Sequence, residues 1–308
     1  MRPFPAPSGS IGLRALDDLL RQRRVVVLAG AGCSTESGIP DYRGPNGSLR
    51  KRPPIQYGEF VRRSDARLRY WARSAVGWQR FSGARPNPAH GALARLEDGG
   101  VVRGVITQNV DGLHQAAGSR RVVELHGSLA FVRCLECGRR ETRAGLQDRL
   151  HALNGGWFER MARGGAGGVK TAPDGDAELP EDALEGFRVP VCCGCGGMLK
   201  PDVVLFGENV PAATVDDAWR LFDEGDVLLV VGSSLTVYSG RRFIYRAEQR
   251  GMPIGINNVG PTRADAVAAA KVEGRLGMVL PRLAERLLNA RGGVPGGAGA
   301  AISSDTAP

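Results

Sequence analysis

Gly30-Ala-Gly-Cys-Ser-Thr-Glu-Ser-Gly-Ile-Pro-Asp-Tyr-Arg43 follows the apolar run Val25-Val-Val-Leu-Ala29. The run reads as a buried strand. A strand that enters Gly-x-Gly is the start of a dinucleotide site, because glycines let the backbone turn sharply and approach a pyrophosphate. The charge of that group suits the N-terminus of a following helix. The third glycine of the general fingerprint falls at Thr35, so Gly-Ala-Gly by itself also fits a plain strand–turn–helix. Gly38 and Pro40 rule out a continuous helix through the rest of the stretch. It is a loop, and it carries Asp41 and Arg43 beside the phosphate cradle.

Further apolar runs repeat the pattern. Val101–Thr107 ends at Gln108-Asn-Val-Asp111, Arg121–Leu125 at His126-Gly127, Asp226–Val231 at Gly232-Ser-Ser234, and Met252–Ile256 at Asn257-Asn258. Polar residues directly beyond apolar strands lie where ligands sit in open parallel sheets, at the carboxyl ends. Helical stretches between the runs, such as 212–222 and 241–250, and an amphipathic helix over 11–24 predict an α/β fold with a Rossmann-like parallel sheet. Two blocks interrupt the alternation. Residues 46–98 are helical in character, and 129–197 hold a cysteine-rich segment with a Gly-rich surface loop over 155–175. The large unit is accordingly read as 11–45, 99–128 and 198–290, with 46–98 and 129–197 forming a smaller one. Residues 291–308 read as a disordered tail.

The chain has 308 residues, 42% hydrophobic content and a formal charge of +9. Its arginines are dispersed without an aromatic-interleaved basic stripe, so nucleic acid is not expected as the main partner. No apolar run approaches the roughly 20 residues that span a bilayer. The Pro-rich start lacks the apolar centre of a signal peptide, and a cytoplasmic location is expected.

Five of the six cysteines fall in two clusters, which points to metal rather than disulfides. Cys134-x-x-Cys137 and Cys192-x-x-Cys195 are two knuckles that together make a tetrahedral Cys₄ zinc site. Four sulfur ligands leave no open position, so the zinc is structural. Cys193 breaks the two-residue spacing and is set aside. Cys33 reads as a small buried residue beside the glycine turn. The chain has four histidines, His90, His114, His126 and His151. His126 ends a strand at the expected cleft and is the leading candidate for a general base, with His114 second. His90 reads as part of a helix start. Asp111 alone also reads as the cap of the next helix.

These motifs, with Thr107-Gln-Asn-Val-Asp-Gly-Leu-His114, Glu124-Leu-His-Gly127, Leu199-Lys-Pro-Asp-Val-Val-Leu-Phe-Gly-Glu208 and Val231-Gly-Ser-Ser-Leu-Thr-Val237, resemble the sirtuins from about residue 20 to 285. Tyr70-Trp-Ala-Arg-Ser-Ala-Val-Gly-Trp78 and Val237-Tyr-Ser-Gly-Arg-Arg-Phe243 look like the class II branch that includes mitochondrial sirtuin-4. The resemblance implies an NAD-dependent protein lysine deacylase that yields nicotinamide, O-acyl-ADP-ribose and free lysine. It makes His126 the base and Asn109 its catalytic partner at the ribose. Gly30, Ala31, Gly32, Asp41, Tyr42 and Arg43 would hold the phosphates and nearby ribose. Gln108, Asn109, Val110 and Asp111 would line the nicotinamide-ribose pocket, with the Ile39 backbone at the carboxamide. Gly232, Ser233 and Ser234 would approach the phosphates and adenine ribose. Asn257, Asn258, Val259 and Leu276 would meet the adenosine. An acyl-lysine peptide would lie as an added strand against Val204, Phe206, Gly207 and Glu208 on one side and 234–237 on the other. Tyr70 and Arg73 look like a pair that reads a carboxyl-bearing acyl group. Mono-ADP-ribosyl transfer at the same site is the alternative activity. The sequence leaves the oligomeric state open.

Overall fold

The computed structural model describes residues 9–41, 54–163, 175–177, 179–180 and 182–292. Helix α1 (Gly9–Leu20) leads into strand β1 (Val25–Ala29), and two 3-10 turns, Ala31–Cys33 and Thr35–Ser37, follow it. Helices α2 (Tyr57–Arg62), α3 (Ser64–Ser82) and α4 (Pro88–Asp98) precede β2 (Val102–Thr107). Next come α5 (Leu113–Ala116), β3 (Val122–Glu124), β4 (Gly127–Cys134), β5 (Arg140–Thr142), α6 (Arg143–Leu153) and α7 (Gly155–Arg163). The chain continues through β6 (Leu199–Val203), α8 (Ala212–Asp223), β7 (Val227–Val231), α9 (Tyr238–Gln249), β8 (Ile254–Asn257), β9 (Ala270–Val272) and α10 (Leu276–Gly292).

Six strands form a parallel sheet in the order β3-β2-β1-β7-β8-β9. Both of its faces are covered, as parallel sheets require. The two-residue period of β1 sends Val25, Val27 and Ala29 towards Leu16, Leu93 and Leu283. Val26 and Leu28 point the other way, towards Phe222 and Phe243. Edge strand β9 has only three residues and no apolar run of its own, which is why periodicity did not mark it.

The second sheet is antiparallel, in the order β5-β4-β6. It shares one core with both interrupting blocks, in which Phe60, Tyr70 and Trp71 meet Val132, Leu146, Trp157 and Phe187. Arg143 is buried there, where its guanidinium donates to the Ser74 carbonyl at 3.1 Å and lies 4.7 Å from the Trp78 ring centroid. Burial pulls its pKa down to about 10.

Three expectations change. The stretch after β1 opens no α-helix among the described residues, so no helix N-terminus faces the glycines there. Residues 155–163, expected in a loop, are helical. Trp157 anchors them by filling the small core and donating its indole N–H to the Ala183 carbonyl at 2.7 Å. Helix α10 runs to Gly292, past the expected start of the tail at 291, and 293–308 lie outside the described residues.

Candidate active site

The loops after β1 and β7 meet backbone to backbone. Gly30 N–H donates to the Val231 carbonyl at 3.0 Å and Gly32 N–H to the Gly232 carbonyl at 2.8 Å. A Cβ on Gly30 would stand 2.7 Å from the Ser233 Cβ. Gly232 has φ +60°, and a Cβ there would stand 2.4 Å from the Cys33 nitrogen. Only glycine fits this approach. It leaves a concave rim of main chain, the kind of surface a pyrophosphate needs. Asn87 braces the rim from α4: its side-chain amide donates to the Cys33 carbonyl at 2.8 Å and the Ser37 hydroxyl at 3.0 Å.

The segment after β2 is locked to the same loop. Asn109 donates its side-chain N–H to the Gly30 carbonyl and the Ser34 hydroxyl, both at 3.1 Å. Ser34 donates in turn to Asp111 Oδ2 at 2.7 Å, while Asp111 Oδ1 accepts the Leu113 N–H at 2.9 Å. Asp111 therefore closes the turn that leads into α5 and also holds Ser34. Gln108 donates to the Ser233 hydroxyl at 2.9 Å.

His126 follows β3. Its Nδ1 lies 2.8 Å from the Gln108 carbonyl, which can only accept, so the proton resides on Nδ1. Nε2 then carries the lone pair, and it lies 2.7 Å from the Ser239 hydroxyl at the start of α9. Burial lowers the basicity of His126, the Gln108 carbonyl raises it, and the charge of Arg242 lowers it again, with a net downward shift. A neutral imidazole with a fixed tautomer is the form a general base requires. His114 is buried under α4, 4.9 Å from the His90 ring, and burial pulls its pKa down to about 3. It does not line the cavity.

These elements surround a cavity of about 630 Å³. That is within the usual range for small-molecule and cofactor sites. Gly30, Ala31, Gly32, Ile39, Asp41, Gln108, Asn109, Val110, Asp111 and His126 line it. So do Gly232, Ser233, Ser234, Asn258, Val259 and Leu276, together with Val204, Phe206, Gly207, Glu208 and Tyr70. Tyr42 and Arg43 lie outside the described residues. Asn257 is fully buried and off the cavity. Its amide donates to the Val272 and Gly274 carbonyls at 3.2 and 3.1 Å, so it braces the loop that presents Asn258 and Val259. Arg73 is one helical turn from Tyr70 but is not part of the cavity wall. The Glu208 carboxylate faces inward to Lys200 Nζ, 2.9 Å away, and accepts the Leu205 N–H at 2.9 Å. It shapes the 203–208 segment from beneath. Sequence reading missed Ser34, Ser239 and Arg242. The Ser239 signal was available, since it follows the β7 loop at the head of a helix.

At the far end of the small sheet the four cysteines of the two knuckles converge. Cys134 Sγ is 3.5 Å from Cys195 Sγ, and Cys137 Sγ is 3.7 Å from Cys192 Sγ. Thiolates about 2.3 Å from one ion are about 3.8 Å apart along a tetrahedral edge. The backbone N–H groups of Gly194 and Cys195 lower the Cys192 thiol to about 7. The set fits one structural Zn²⁺. The exposed Cys193 is outside this set, and Cys33 is buried beside the glycine turn.

Residues 30–239 match the model of the Sir2 family. The chain is 50% identical over 259 residues to NAD-dependent protein deacetylase 2 of Bradyrhizobium diazoefficiens, covering 84% of this chain and 92% of the relative. It is 47% identical over 290 residues to the mitochondrial NAD-dependent protein lipoamidase sirtuin-4 of Bos taurus, covering 92% and 90%. Among solved structures, one of Sir2 with a p53 peptide and NAD+ matches with a TM-score of 0.67 and 30% identity, covering 89% of this chain and 96% of that one. With its motifs gathered at one cavity and more than two thirds of its length matched, the chain belongs to the Sir2 family.

Proposed function

We propose that this chain is an NAD-dependent protein lysine deacylase with His126 as its general base. The observation that carries the reading is the fixed tautomer of His126, which lines the cavity beside the glycine cradle with its Nε2 lone pair held by the Ser239 hydroxyl. When bound, NAD would supply the ribose that accepts the acyl group, with nicotinamide as the leaving group and water releasing the lysine amine. Gly30, Ala31, Gly32 and Gly232 admit its phosphates against main chain. Asn109 and Asp111, held by Ser34, present fixed polar groups to the nicotinamide-ribose end, with the Ile39 backbone beside them. Asn258, Val259 and Leu276 receive the adenosine end. Nε2 of His126 takes the ribose hydroxyl proton, and the Gln108 carbonyl steadies the imidazolium that results.

The acyl-lysine peptide enters as an added strand between 204–208 and 234–237. Both segments line the cavity and lie outside the two sheets. Main-chain pairing there gives affinity with little sequence choice. Tyr70 and Phe206 wall the acyl-lysine channel. In this reading the parallel sheet is the NAD-binding unit, and 46–98 with 129–197 form the small unit. The core that Phe60, Tyr70 and Trp71 share with the second block supports this for the first part of 46–98. Helix α4 instead packs Ala89, Ala92, Leu93 and Leu96 against the parallel sheet and goes with the large unit. The Cys₄ site needs reduced thiols, which favours a cytoplasmic location. Among the described residues no helix is long and apolar enough to cross a membrane.

The test is incubation with NAD and a panel of acyl-lysine peptides, with products identified by mass spectrometry. O-acyl-ADP-ribose and nicotinamide should form together, and His126→Ala should lower kcat by roughly 10²–10⁴. ADP-ribosylated protein without O-acyl-ADP-ribose would replace this reading with ADP-ribosyl transfer.

A further inference from the structure

The charged residues of the cavity wall are not equivalent. Arg275 faces Glu36 at 3.5 Å, Asp111 is occupied by Ser34 and the Leu113 N–H, and Glu208 by Lys200. Arg242 differs. It lines the cavity, its Nε is buried without a hydrogen-bond partner, and among the described residues it joins no ion pair. The guanidinium carbon lies 5.6 Å from the centroid of the Tyr238 ring, which is 60% exposed. An aromatic partner of this kind orients the planar guanidinium without neutralising it.

Its position narrows what it can meet. Ser239 and Arg242 are three residues apart on α9 and share a face. Ser239 touches Nε2 of His126, so the guanidinium is on the reacting side of the base. The glycine rim that suits phosphate is built from the loops after β1 and β7, not from α9. We infer that Arg242 binds a carboxylate of the acyl-lysine substrate, at the end of the acyl chain or on an acidic residue beside the lysine. The inference rests on the deacylase reading and refines its substrate class. A fork of N–H donors matches a carboxylate bidentately, and a neutral acyl-lysine peptide leaves the fork unused. It moves the carboxyl-reading role from Arg73, which is off the cavity wall, to a residue on α9.

Steady-state kinetics on the full chain can test this with three peptides of one sequence at saturating NAD. The peptides carry acetyl-lysine, glutaryl-lysine, and acetyl-lysine flanked by glutamate. In Arg242→Gln the kcat/KM ratio of one carboxylate peptide to the neutral peptide should fall about tenfold, and Arg242→Lys should restore part of it. Any change in His126 basicity cancels in that ratio. The peptide that responds identifies where the carboxylate resides. An equal fall on all three peptides, unchanged ratios, or an effect confined to the KM for NAD would overturn the inference. If wild type turns over none of them, the deacylase reading fails separately. Fluorescence anisotropy of the same labelled peptides then decides: a carboxylate preference lost in Arg242→Gln supports the role, and equal binding rejects it.

Discussion

The Ser239 hydroxyl lies 2.7 Å from Nε2 of His126, on the lone pair that the proposed base would use. With Nδ1 committed to the Gln108 carbonyl, Ser239 is the donor in this contact, and it favours the neutral imidazole. Burial acts in the same direction. The acid limb of kcat/KM should therefore lie below pH 6.5, the ordinary imidazole value, with activity lost as pH falls through the lowered pKa. Ser239→Ala removes a donor to the neutral form, so its acid limb should move to higher pH. Ser239→Thr should keep the wild-type limb. Identical pH profiles for wild type and Ser239→Ala would exclude this role for the hydroxyl.

Gly232→Ala tests the cradle. A methyl group there meets the Cys33 nitrogen at 2.4 Å in a left-handed backbone, φ +60°. The loops after β1 and β7 must then separate. We expect NAD affinity to fall at least tenfold by calorimetry, while zinc content is retained. Unaltered NAD binding would show that the close approach of the two loops is dispensable.

Zinc removal tests the small sheet. Cys134 ends β4 opposite Leu199 and Cys192 precedes β6, so a bound metal would tie β4 to the segment that leads into β6. Cys137→Ser or a strong chelator should release about one zinc per chain, read by elemental analysis. Near-ultraviolet circular dichroism should then change, because Trp71 and Trp157 share the core with Cys134 and Cys192. A chain that loses zinc with its aromatic signal intact would argue against a structural metal.

His114 offers a stability prediction. In the folded chain its pKa is pulled from 6.5 to about 3, first by burial and then by His90. The unfolded chain takes up a proton near pH 6.5 while the folded chain does not, so the loss of stability begins there and grows as pH falls towards the folded value. Between pH 7 and pH 5 this amounts to about 2 kcal/mol. Urea unfolding of His114→Leu should show a pH dependence shallower by that amount. An unchanged slope would mean that His114 titrates normally in the fold.

Much of this protein is legible in its sequence because the relevant physics is local. Five-residue apolar runs such as Val25–Ala29 and Val227–Val231 become two-sided buried strands, and the polar residues at their ends fall at the carboxyl edge of the sheet. Cys-x-x-Cys turns set the sulfur spacing within each knuckle. Periodicity does not reach α7, whose Gly-rich surroundings hide a helix that Trp157 pins to a distant core.

Tertiary structure alone decided which groups meet. Asn257 reads as a ligand residue by its place after β8, but the approach of the Val272–Gly274 segment turns its side chain into a brace. Arg73 and Tyr70 are neighbours on α3, yet only Tyr70 lines the cavity. Ser239 and Arg242 acquire meaning because the β7 loop carries α9 across to His126, 113 residues earlier in the chain. The sequence by itself determined the apolar strands β1, β2, β3, β7 and β8, the glycine turns and the sulfur pair within each knuckle, since each depends on residues a few positions apart. Strand β9, the meeting of the two glycine loops and the pairing of the knuckles came from the packing. Side-chain partners across more than a hundred residues depend on how the layers pack, and no local pattern encodes that distance.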